Sequence, residues 1–144
     1  MQHRPNIMAN LLTYAGTLPL LASACALLLV PIMHHNAVFF ATTYSAIIIS
    51  FLAGIHWACY MFFAAQCPRN LLLTSNAIAL LAWLSLLVQH QPSVALLHIL
   101  CFLYLFILDT RLCKAGVLPA WFYRLRRNAT AIVVISLSII MGHA

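Results

Sequence analysis

Apolar residues run along this chain in long blocks, and short polar clusters interrupt them at intervals too wide for a soluble helix or strand. Residues 5–68 carry no formal charge, and neither do 70–108 or 128–144. A helix that crosses a bilayer needs about 20 mainly apolar residues, so these stretches hold two spans, two spans and one. Pro31 with His34, His35 and Asn36 divides the first stretch into 11–33 and 38–65. Gln89, His90, Gln91, Pro92 and Ser93 divide the second into 71–88 and 94–110. The last block is strongly apolar only over 129–142, but Pro119 can start a helix because the first turn leaves its missing donor unused. A span over 120–143 is therefore predicted. The pattern predicts an all-α polytopic membrane protein, a single domain over 1–144 built as a bundle of five transmembrane helices. Inside the first span, Pro19 removes a backbone donor and predicts a kink beside a freed carbonyl.

Composition strengthens this reading. Apolar residues make up 65% of the chain and charged residues 6%, against about 25% charged in an average soluble domain. So little polar surface excludes a soluble domain, a disordered chain and a nucleic-acid binder, despite a net charge of +6. The cations are Arg4, Arg69, Arg111, Lys114, Arg124, Arg126 and Arg127, and with five spans all of them fall on one side. The positive-inside rule then puts the N-terminus in the cytoplasm and the C-terminus outside. Trp121 and Tyr123, with Arg126 and Arg127, are expected as interface anchors, the arginines snorkelling to lipid phosphates. The first apolar run continues to Met33, longer than the core of a signal peptide, which predicts an uncleaved anchor. The missing transit-peptide signature points to a bacterial inner membrane.

Candidate chemistry is sparse. With no glutamate and one aspartate, the chain offers no nucleophile, base and acid set, and hydrolytic chemistry is unsupported. Its five cysteines form no CxxC pair, so neither zinc nor a redox dithiol is predicted. His34, His35, His90 and His143 read as solvated loop and end residues, and no metal site is expected.

The span at 38–65 is the most informative. Ala46, Ser50, Gly54 and Ala58 form a small-residue stripe suited to close helix packing. His56 lies deep in that span, and an intramembrane ionisable group is a functional candidate by default. His56, Trp57, Ser50, Gly54 and Pro19 are thus the candidates for a polar core or ligand site. His56 is expected to face the bundle interior, because lipid would leave its ring nitrogens without partners. It lies about 200° around the helix from the stripe, which makes this span central. His98, the other intramembrane imidazole, sits about 10 Å away in depth, so a haem held by both histidines is disfavoured. Asp109 predicts a structural ion pair at the cytoplasmic end of 94–110, among Arg69, Arg111 and Arg124. Arg111 at i+2 does not face it, which leaves Arg69 or an arginine of the 124–127 cluster as the better partner.

Three segments carry a family resemblance: Tyr14–Pro19, Ser50–Trp57 with its Gly54-Ile55-His56-Trp57 element, and Leu108–Arg126 with its Asp109-x-Arg111-Leu112 and Leu118-Pro119-x-Trp121 elements. In this order the chain resembles a family of small multi-span membrane proteins, domain of unknown function 3429, which includes mitochondrial transmembrane protein 69. The resemblance implies an all-helical integral membrane protein and brings no activity with it. Three functions compete. The first is a non-catalytic accessory or assembly protein that packs on another integral membrane protein, or on itself as a homo-oligomer. The second is a redox protein holding haem or quinone at His56, and the third is a small transporter or channel. No cofactor is predicted under the first.

Overall fold

The computed structural model describes residues 7–30, 32, 34–67, 70–88 and 90–143, and all regular structure among them is helical. The helices are α1 (Ile7–Ala15), α2 (Leu18–Leu29), α3 (His34–Phe63), α4 (Leu71–Ser85), α5 (Gln91–Lys114) and α6 (Ala120–His143). Four helical segments are long and apolar enough to cross a membrane: α1 with α2 as one 23-residue segment, α3 with its terminal turn, α5, and α6. That is compatible with a multi-pass membrane protein. The expected span at 71–88 is reduced to α4, whose 15 residues extend about 22 Å.

Local sequence explains the helix ends. The expected kink in the first segment is a complete break at Gly16–Thr17, with Pro19 in the first turn of α2 and not in mid-helix. Proline cannot donate to the carbonyl of Ala15, so the helix stops and restarts. At the break the Tyr44 hydroxyl donates to the Gly16 carbonyl at 2.9 Å, and the Thr17 hydroxyl donates to the Tyr14 carbonyl at 2.8 Å. Asn70 caps α4 by accepting from the Leu73 amide, and His90 caps α5 by accepting from the Ser93 amide.

The largest boundary difference is at α5, expected to end at 110. It runs to Lys114 and stops at Gly116, whose φ is +76°. The Val117 and Gly116 amides donate back to the Leu112 and Cys113 carbonyls. This is a Schellman stop, in which glycine takes the left-handed conformation without steric cost. Arg111 and Lys114 did not end the helix because both point outward.

Side-chain pairs fix the topology. Ser45 meets His98, and His56 meets Asp109. Both pairs have the same sequence separation, 53 residues, so α3 and α5 run parallel in one register. Helix α4 must therefore return between them. It does so with Leu71 packed near Cys59 and Leu108 at one level, and Ser85 bonded to His98 at the other. A short loop then sends α6 back antiparallel along α5. The core is dominated by Leu20, Ala41, Ile49, Phe102, Leu105, Leu137 and Ile140, all essentially inaccessible. Helix α3 touches α2, α4 and α5 and is the centre of the bundle.

Candidate functional site

His56 occupies the inner face of α3, together with Ile49, Leu52, Ala53 and Cys59, and is 1% exposed. Its Nε2 lies 2.7 Å from Oδ1 of Asp109, which is also 1% exposed. From α6, Nε of Arg126 donates to the other carboxylate oxygen at 3.0 Å. The chain's only acid thus joins three helices. The protonation pattern follows from the partners. A guanidinium is always charged and, buried beside Asp109, requires the carboxylate anion. Both carboxylate oxygens then accept, so His56 Nε2 is the donor of this bond. Among the described residues Nδ1 is buried and has no partner.

One end of the bundle thus holds a charged triad. About 16 Å along α5 lies an uncharged one. His98 Nδ1 is 2.6 Å from the Ser45 hydroxyl and Nε2 is 2.7 Å from the Ser85 hydroxyl. Both serines also reach carbonyls of their own helices, Thr42 and Ala82. A hydroxyl donates and accepts, so either tautomer of a neutral ring closes this network. Neither ring nitrogen of His98 is free for another ligand.

The other sequence candidates lie elsewhere. Ser50, Gly54 and Trp57 are exposed on the outward side of α3, as is Ala58, and only Ala46 of the stripe is buried. The polar-core expectation for Ser50, Gly54 and Trp57 is corrected accordingly: the 200° between stripe and His56 turns one inward and the other out. Ser50 bonds only its own helix, at the Ala46 carbonyl. These residues and Ser75, Asn76 and Ala79 of α4 line a shallow groove of about 230 Å³. Pro19 borders a separate groove with Tyr44 and Phe40. Of the expected partners of Asp109, the 124–127 cluster supplies Arg126, while Arg111 and Arg124 are exposed and turned away and Arg69 lies outside the described residues. Arg126, expected at the lipid surface, is instead turned inward and 6% exposed. Arg127 is exposed, Trp121 is half-buried, and Tyr123 stacks on Phe106 with ring centroids 5.5 Å apart.

Sequence reading missed the contact between His56 and Asp109. It placed Asp109 at a helix end, whereas Asp109 sits more than a turn inside α5. Gly116 was the available signal, since a glycine there marks the helix stop beyond Lys114. Among the described residues no three His, Cys or Asp side chains are grouped to hold a metal.

Comparison with known proteins adds a family. A family model described as Protein of unknown function (DUF3429) matches residues 5–142. No curated protein and no solved structure matches the chain.

Proposed function

The chain belongs to the DUF3429 family, which carries no assigned activity, and we propose from its geometry that it is a non-catalytic accessory protein that binds a helix of another integral membrane protein. The carrying observation is the outward small-residue face of α3. Ser50, Gly54 and Ala58 are exposed, and a Cβ added at Gly54 would meet nothing within 4 Å. Small residues let helices approach closely in lipid, where packing and not hydrophobicity drives association. The six helices take up most of the described residues, which leaves the helix surfaces as the means of contact.

In this reading the protein crosses a cytoplasmic membrane five times with its N-terminus inside. The return of α4 between the parallel α3 and α5 supports the fifth crossing, and a short span is accommodated by local thinning of the bilayer. The grouping of Arg111, Lys114, Arg124 and Arg127 at one end of the bundle supports the orientation.

The test uses a photo-crosslinking residue at Asn76, in the groove, in native membranes. One discrete adduct is expected, larger than a pair of these chains and absent from a control with the crosslinker at exposed Leu100. The Cβ of Gly54→Ile has free space and its outer atoms reach into the groove, so the change should keep the melting temperature and abolish the adduct. A product of twice the chain mass would replace the partner with a second copy. An adduct that survives Gly54→Ile would remove the groove as the contact.

A further inference from the structure

A further cavity, of about 300 Å³, lies against α6, bounded by α1, the Gly16–Thr17 break and α3. That volume is at the lower end for small-molecule sites. Its wall is mostly apolar, with Leu12, Phe51, Phe102 and Phe122 among its lining residues, and it carries Arg126 and Thr130. Phe102 is buried, Phe122 half-buried and Phe51 exposed, so the aromatic wall runs from the interior to the mouth.

Thr130 is out of character here. Elsewhere in these helices the other buried serine and threonine hydroxyls reach a carbonyl of their own helix, as Thr42 does at Val38, Ser75 at Leu72 and Ser136 at Ile132. The carbonyl equally placed for Thr130 is that of Arg126, yet the Thr130 hydroxyl is buried without a partner, and the residue is 5% exposed. Burying such a group without a partner is unfavourable, so the site is incomplete as it stands. Arg126 supplies the second unmet group. Only its Nε is bonded among the described residues, to Asp109, which leaves its terminal Nη groups as donors. At i and i+4, the two side chains share one face of α6.

We propose that this cavity binds the head of a lipid-soluble quinone, with Arg126 Nη and the Thr130 hydroxyl donating to one of its carbonyl oxygens. Three features select that class. The donors require an acceptor oxygen. The charge of Arg126 is already balanced by Asp109, so a carboxylate head would bring an unpaired anion into an apolar site, and a neutral carbonyl does not. The phenylalanine rings favour a flat conjugated ring, with an apolar tail leaving past α1. His56 does not line this cavity, so the site differs from the one its imidazole suggested. The proposal is independent of the α3–α4 groove.

The experiment uses the full chain in nanodiscs of defined, quinone-free phospholipid, titrated with decylubiquinone, with decylbenzene as the oxygen-free control and oleate as the anionic alternative. Saturable one-to-one binding of decylubiquinone is expected, read as a rise in melting temperature and by equilibrium dialysis, with decylbenzene and oleate failing to compete. Thr130→Val removes a hydroxyl that bonds nothing in the protein, so its unliganded melting temperature should equal or exceed that of the wild type. Its affinity for decylubiquinone should fall roughly tenfold. Binding of oleate in preference to decylubiquinone would overturn the quinone assignment. Unchanged affinity in Thr130→Val, or equal binding of decylbenzene, would overturn the site.

Discussion

Two histidines sit on matched faces of the same bundle, three helical turns apart, and they are held in opposite ways. His98 is bracketed by two serine hydroxyls that can each give or take a proton, so every atom is satisfied without any charge. His56 is held by a carboxylate that can only accept, and that carboxylate in turn holds a guanidinium. The first network can be trimmed with modest loss, because each serine keeps a carbonyl of its own helix. The second cannot lose its centre without leaving a buried positive charge alone. What separates the two is not burial, which is complete in both, but whether the partners can exchange roles.

This difference sets the order of expected effects. Asp109→Asn should be the most damaging single change at either cluster. It leaves Arg126 charged and unpaired in the interior, at a cost of about 3–5 kcal/mol, to be read from unfolding in a mild detergent. A loss below about 1 kcal/mol would mean that Arg126 escapes to the surface and that the triad is not a unit.

His98→Leu should cost less, about 1–2 kcal/mol, since the new side chain fills most of the space and both serines keep their helix carbonyls. A loss equal to that of Asp109→Asn would erase the contrast between the clusters.

The sequence carried the helical class and the inward direction of His56 by simple physics. Runs without charge that long have no stable place in water, and an imidazole facing lipid would lack partners. The outward turn of Ser50, Gly54 and Trp57 was half legible. Their angular distance from His56 was computable, but that they would stay exposed was not. The triad itself was hidden because Arg111 and Lys114 were read as the end of a span, when they only mark the exposed side of a helix that continues to its glycine stop. That Arg126 and not Arg124 turns inward depends on how α6 is rotated against α5. Rotation is set by packing at Phe102, Leu105 and Val133, which spacing alone does not encode.

The claim that Asp109 is the common partner of a buried charged network is tested most directly by a double-mutant cycle. Asp109→Asn and Arg126→Gln would be made singly and together, and the unfolding free energy of each measured in the same bicelles. The account predicts strong coupling: the double variant, which leaves no lone charge, should be more stable than the summed losses imply by about 1–3 kcal/mol. Losses that simply add would contradict it, showing that the two side chains do not share a bond.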